Sequence, residues 1–437
     1  MKKILILFLC MFISVFALLF ADIPSFSPSV KDTPDQSTAD PSAVAPFEPP
    51  TVSTDTGNFS KALWISQFDL CDVYVSNGKQ RDKGEFCELV GNMLDNCRSL
   101  GFDTVIVQAR PNGDSIYPSK LFPASKYAVG KYGNEFSYDP FGLIVSLAKL
   151  RGLSVHAWIN PLRLMTKSEA ELLSGEEFSV IKWWESDDTR GKYVKQLDGR
   201  LYLDPAYPEV RELIAEGAAE LLSLYRLDGI HMDDYFYPHG ITEDFDKEAY
   251  ASFSCDKKLS DWRRDNISEL VGLIYKKVKS TDENALFGIS PGGNLDTVFN
   301  TDYADVYRWC KEDGYIDYIC PQIYFGLRHE TYAFGAVFER WERIVKDTDV
   351  SFFVGITFGK AESASLGKED KYAGTGKNEW INSKRVLADC LEILKGNEAL
   401  DGIAVFCYQY FFDPVSGEKN ENTKEELQNF LPVWKEF

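Results

Sequence analysis

Histidine is scarce in this chain, four in 437 residues. None stands in an H-E-x-x-H or similar spacing, which excludes the common zinc-hydrolase helix. The 9 cysteines are scattered without a C-x-x-C pair, so zinc-ribbon and thiol-redox sites are also excluded. There is no G-x-S-x-G elbow for a nucleophilic serine, and no glycine-rich phosphate loop follows the first apolar run. Positive charge is in deficit: 47 Lys and Arg against 67 Asp and Glu leave a formal charge of −20. Such a surface repels nucleic acid and anionic lipid and suits a neutral polymer or simple solubility. No cofactor is implied.

Apolar and aromatic residues are plentiful, 44% and 14%, enough for a large core. The N-terminus, Met1-Lys2-Lys3 followed by an apolar run from Ile4 to Phe20 and then Ala21, reads as a secretory signal over residues 1–21. The same run sits at the lower limit for spanning a bilayer, so an uncleaved anchor is the alternative. Either way the chain is expected to be exported, to the cell envelope or beyond, touching membrane only through this segment. Residues 22–60 are rich in Pro, Ser, Thr and Asp and lack apolar periodicity, so they read as a disordered linker. Of the remaining cysteines, Cys320 and Cys407 lie in apolar runs and read as buried free thiols.

From residue 61 to 437 short apolar strands alternate with amphipathic helices. Strands are expected at Ala62–Gln67, Thr104–Ala109, Ser154–Asn160, Gly229–Asp233, Leu286–Ser290, Tyr318–Tyr324, Phe352–Phe358 and Gly402–Tyr408. Eight strand-then-helix units, each strand almost continuously apolar, predict an α/β fold of the (β/α)8 TIM-barrel type, with a doubly wound open sheet as the alternative. Asp139-Pro140 and Asp204-Pro205 read as helix N-caps with proline in the first turn, and Gly101 and Gly152 as helix stops. The connection from Pro161 to Asp204 is too long for an ordinary loop; its Trp183, Trp184 and Tyr193 suggest a substrate-covering insertion after strand 3. Leu366 to Trp380 is a second expected lid.

A barrel of this kind works at the carboxyl ends of its strands. Those ends carry amides and rings: Trp64, Gln108, Arg110, Asn112, Trp158, Asn160, His231, Tyr235, Asn294, Gln322, Tyr324 and Tyr408. Rings pack on apolar sugar faces while amides and guanidinium groups read hydroxyls and acetamido groups, so these are the expected carbohydrate contacts. Strand four runs through Gly229-Ile230-His231-Met232 into Asp233-Asp234-Tyr235. Adjacent carboxyls repel, which can hold a proton on one of them and suits general acid chemistry on a glycosidic bond. The plain alternatives are an Asp pair that caps the next turn, or an ion held by His231, Asp233, Asp234 and His239. Neighbouring strand residues face opposite ways, so both acids reach one pocket only if the strand ends between them. If one alone faces inward it is Asp234, with a second acid from a loop, such as Asp114 or Asp296.

The blocks Ala62-Leu63-Trp64, Val107 to Asp114 (VQARPNGD), Ala157 to Pro161 (AWINP), Leu203-Asp204-Pro205 with Pro208 to Arg211, Asp228 to Pro238 (DGIHMDDYFYP) and Pro321 to Tyr324 (PQIY) resemble the bacterial glycosyl-hydrolase-like 10 family. The resemblance spans about Lys61 to Phe412. It implies a (β/α)8 glycosidase of the cell envelope acting on peptidoglycan strands stripped of their peptides, with Asp233 and Asp234 catalytic. Arg110, Asn112, Asn160, Gln322 and Tyr324 then become substrate contacts. Asp204 stands where many relatives carry Asn, and the N-terminus lacks the lipoprotein cysteine of some. The expected function is hydrolysis of a cell-wall polysaccharide containing N-acetylated amino sugars. A non-catalytic carbohydrate-binding barrel and a polysaccharide deacetylase are the alternatives.

Overall fold

A computed structural model of the chain describes residues 59–437, Tyr235 and Cys255 excepted. The expected signal and most of the linker lie outside the described residues. Ser60, the last residue of the expected linker, opens the first strand, and the Phe59 ring lies 5.2 Å from that of Phe437.

Eight parallel strands close into a barrel: β1 Ser60–Ile65, β2 Thr104–Arg110, β3 Ser154–Ile159, β4 Gly229–Met232, β5 Leu286–Ile289, β6 Tyr318–Ile319, β7 Ser351–Thr357 and β8 Gly402–Phe406. Each pairs with its neighbours in sequence, and β1 closes the ring against β8. Helices cover the outside, among them Lys83–Ser99, Pro140–Leu150, Pro208–Leu224, Leu259–Thr281, Phe334–Val345, Val386–Leu394 and Lys424–Trp434. Most of the core lies between strands and helices, and a second cluster around Trp64, Ile106, Trp158, Tyr318 and Ala404 fills the barrel interior.

Several strands are shorter than their apolar runs. β6 stops at Ile319 because Pro321 has no N–H to continue the ladder, and only isolated bridges from Gln322 to Gly292 and Gly355 carry the pairing further. Ser66 ends β1 by capping the helix Gln67–Tyr74 in a reciprocal box with Asp69. Asp139 caps its helix as expected, accepting from the Gly142 N–H at 2.9 Å. Asp204 does not: that helix begins at Pro208. Instead the buried Asp204 accepts from Ala206 N–H at 3.0 Å and pairs with Lys195 at 3.5 Å, tying the insertion to the barrel.

The insertion is ordered. A three-stranded antiparallel sheet places Arg200–Leu203 between Arg163–Thr166 and Val194–Leu197. Its aromatic residues pack on one another and on the barrel, Trp183 on Tyr193 and Tyr193 on Tyr207, each at 5.0 Å. The second expected lid, around Glu379, is pinned to the β6 loop by the Arg328 N–H at 2.9 Å. The seven described cysteines are unpaired thiols, Cys320 and Cys407 among the buried ones.

Candidate active site

The barrel interior holds a hydrogen-bonded column. Tyr318 places its hydroxyl 2.8 Å from Nδ1 of both His156 and His231. Gly288 makes room, since a Cβ there would lie 2.0 Å from the tyrosine ring. His231 Nε2 lies 3.2 Å from the Trp64 indole nitrogen and 2.9 Å from Ser290 Oγ. An indole N–H only donates, so Nε2 is an acceptor and Nδ1 carries the proton. It follows that His231 donates to Tyr318, and Tyr318 to His156. Burial makes both imidazoles poor bases, His156 down to about 4. With both nitrogens engaged, His231 cannot ligate an ion alongside Asp233, Asp234 and His239.

Above the column β4 ends at Met232, so neither Asp233 nor Asp234 is bound by strand alternation, and their side chains diverge. Asp233 turns toward β3: its Oδ2 accepts from the Trp158 indole N–H at 2.9 Å and from the Asn160 amide. That amide is held by a relay in which the Gln67 N–H donates to Gln108 Oε1 at 2.8 Å and Gln108 Nε2 donates to Asn160 Oδ1 at 2.7 Å. A carboxylate oxygen receiving two N–H donors is fixed as an acceptor. Asp234 turns toward β6, hydrogen-bonded to Gln322. Burial raises its carboxyl above the ordinary value, against the opposing effects of Gln322, Arg163 and His239. Gln322 also donates to the Ser290 carbonyl at 3.0 Å. Asp234, Gln322 and Tyr324 are partly exposed in the mouth.

The insertion reaches this rim through its arginines. Arg200 donates to Asn112 Oδ1 at 3.1 Å, Asn112 lies 3.3 Å from Gln67 Oε1, and Arg163 reaches the Pro111 carbonyl at 3.3 Å.

Several expected sugar contacts do not line the mouth. Arg110 is fully buried on the outer side of β2, its guanidinium over the Phe122 ring at 4.2 Å and against Gly217 of helix Pro208–Leu224. The β2–β3 register slips between Gln108 and Arg110, and such a bulge re-aims the next side chain. Tyr408 likewise turns to the helical layer, where its hydroxyl accepts from Asn96 at 3.0 Å. Asn294 is a helix cap, accepting from Asp296 N–H at 3.1 Å. Trp64 and His231 are buried in the column, and Gln108 and Asn160 in the relay beneath Asp233. Tyr235 lies outside the described residues. Of the two loop acids, Asp114 is buried and accepts from Asn112 N–H at 2.9 Å and Tyr132 hydroxyl at 2.8 Å. Asp296 is exposed and pairs with Arg340 at 3.2 Å.

One buried acid escaped the sequence reading: Asp302, in the loop after β5, with His239 Nε2 3.4 Å from its Oδ1. Nothing in its local sequence marks it, because it lies beyond a short helix rather than at a strand end.

A closed ring of eight parallel strands covered by helices is the (β/α)8 barrel, and its working face lies at the carboxyl ends of the strands. In keeping with this, the chain shares that fold with the PgaB (BpsB) glycoside hydrolase domain of Bordetella bronchiseptica, TM-score 0.51 and 13% identity over 85% of this chain and 99% of that one. It shares it also with the β-amylase catalytic domain of Paenibacillus polymyxa, TM-score 0.51 and 10% identity over 86% and 98%. The sequence is more specific. The model for "Glycosyl hydrolase-like 10" matches residues 60–374, and the chain belongs to that family. It is 30% identical to glycosyl hydrolase DigH of Escherichia coli O6:H1 over 396 residues, 84% of this chain and 88% of the relative. It is 33% identical to glycosyl hydrolase YngK of Bacillus subtilis over 317 residues, 68% and 60%.

Proposed function

We propose that this protein hydrolyses glycosidic bonds in a cell-wall polysaccharide containing N-acetylated amino sugars, with peptide-free peptidoglycan strands as the substrate. The observation that carries the reading is the divergence of the two aspartates after β4. Asp233 is an acceptor fixed by indole and amide donors, while Asp234 is partly exposed with its carboxyl raised by burial. Neighbouring carboxyls in unlike environments divide the acid and charge-stabilising roles between them. Asp234 protonates the leaving oxygen. Asp233 stabilises positive charge at the anomeric carbon, or orients an acetamido group that attacks it. The partly exposed Gln322 and Tyr324 supply a hydrogen-bonding amide and a ring face for the sugar. The apolar N-terminal run supports export of this activity to the cell envelope.

The test is mass spectrometry of products after the protein is incubated with amidase-stripped glycan strands and with intact sacculi. Short saccharides from the stripped strands are expected, with reducing ends that identify the bond. Asp234→Asn removes the proton without changing shape, and is expected to fold normally and release no product. Turnover like wild type in that variant would refute the assignment. Strands retained uncut would point to a binding protein, and products lighter by acetyl groups to a deacetylase.

A further inference from the structure

Phe253 leaves 49% of its surface to solvent. It closes the helix Lys247–Phe253, one turn after the buried Ala249 and on the same side of that helix. The apolar face that seats the helix therefore runs on past the core. Single exposed rings are ordinary on protein surfaces, but this one ends a row. It meets the Tyr207 ring edge to face at 5.9 Å, and Tyr193 and Trp183 continue the row at 5.0 Å intervals.

Phe253, Tyr207 and Tyr193 line a surface cleft of about 430 Å³, with Lys192, Glu209 and Glu248 among the residues around it. That volume lies within the roughly 300–1,000 Å³ of ligand pockets. The walls come from three places in the chain. The insertion after β3 gives Lys192 and Tyr193, the first turn of Pro208–Leu224 gives Glu209 with Tyr207 just ahead of it, and the helix after β4 gives Glu248 and Phe253. All of them belong to connections that leave the carboxyl ends of strands, so the cleft opens on the working face of the barrel. The connection after β4 carries Asp233 and Asp234 at its start and Phe253 further along.

Rings with polar groups at their edges suit a saccharide. The rings pack on its apolar faces, carboxylates accept from its hydroxyl and acetamido groups, and an ammonium donates to its oxygens. Lys192 and Glu248 are exposed, and neither forms an ion pair among the described residues, so both can serve a ligand. Two carboxylates against one ammonium leave the cleft acidic, which disfavours an acidic sugar and admits a neutral one.

We propose that this cleft is a remote saccharide subsite, taking a neutral N-acetylated amino sugar of the same glycan strand that is cut at Asp233 and Asp234. The identity of the strand rests on the glycosidase reading; the cleft adds a second place where that strand is gripped. A polymer already held at one point engages a second at high effective concentration, so the cleft favours long strands over short ones.

The test is calorimetric titration of the full chain carrying Asp234→Asn, with stripped glycan strands of short and long chain length. Adding Phe253→Ala should shrink the gain in affinity from short to long strands about five-fold, and Phe253→Trp should restore it. Because the ring is half exposed, Tm should change by no more than about 2 °C. Glu248→Ala, at an exposed position, is the second variant and should weaken long strands about three-fold. Long strands bound by both variants as tightly as by their parent would overturn the subsite. So would a dimer of the unliganded protein that sedimentation detects and Phe253→Ala abolishes, which would give the cleft to a second copy of this chain. A wild-type protein that releases no saccharide, while Phe253→Ala still weakens long strands, would defeat the glycosidase reading and leave the subsite. Cleavage by wild type with unaltered binding in the variants would do the reverse.

Discussion

Gln108→Glu is the sharpest probe of how Asp233 is held. Glutamine and glutamate have the same shape, so packing is preserved. One oxygen of the introduced carboxylate can still accept the Gln67 N–H, now at 2.8 Å. The other replaces the nitrogen that stands 2.7 Å from Asn160 Oδ1, setting two acceptors against each other. Asn160 must turn its amide over to donate to the new carboxylate, which puts Oδ1 against the Asp233 oxygen that its nitrogen now serves. Asp233 keeps the Trp158 indole at 2.9 Å and loses the amide. A hydrogen bond to a charged group contributes roughly 1.5–3 kcal/mol. If that charge is used in the transition state, kcat/KM should fall on the order of ten- to a hundred-fold. Acidification supplies the internal control. Once protonated, the introduced side chain can again donate to Asn160 and restore the original amide orientation, and its burial favours the neutral form above the ordinary carboxylate range. The ratio of variant to wild-type kcat/KM on stripped glycan strands should therefore rise as pH is lowered from 8 to 5, with Tm at pH 5 nearly unchanged. Wild-type activity at pH 8, or a loss that acid does not relieve, would refute this account of Asp233.

Gly217→Ala tests the unexpected place of Arg110. Alanine in a helix interior normally stabilises by about 1 kcal/mol over glycine. Here its Cβ would stand 1.8 Å from Arg110 Nη1 and 2.7 Å from Phe122 Cε2. The fully buried arginine has nowhere to retreat, so a net loss of about 1–3 kcal/mol is expected, read by urea unfolding; a gain would show the packing to be wrong. Wild-type stability should also fall from pH 5 to pH 8. Burial raises Asp69 to about 6, Asp204 and Glu426 to about 7 and Asp302 to about 8. Each stays neutral in the fold while its unfolded counterpart ionises near pH 4, so stability is full below that value and is lost as pH rises through the folded values. Calorimetry showing a higher Tm at pH 8 than at pH 5 would contradict this.

Local patterning carried the barrel. Apolar runs buried on both faces, spaced by amphipathic helices and glycine stops, admit few arrangements other than parallel strands with outer helices. The run Gly229–Met232 ending in two aspartates marked one strand's carboxyl end, which is the end at which such a barrel opens. The limits of the pattern are equally physical. A one-residue slip beside Arg110 reverses a side chain without leaving any mark in composition. Asp204 and Asp139 stand in the same Asp-Pro pair, yet only Asp139 caps, because Asp204 is drawn to Lys195 across the insertion. Ring-bearing residues such as Trp64 and Tyr408 read as sugar platforms in one dimension and proved to be barrel filling and helix packing in three. Asp302 was illegible altogether. Its burial and its contact with His239 are contributed by separate segments of the chain. Strand order and the position of the acid pair follow from periodicities a few residues long, which sequence alone expresses. The direction of each carboxyl, and the proton it holds, depend on desolvation and on partners distant in the chain, which only the closed barrel brings together.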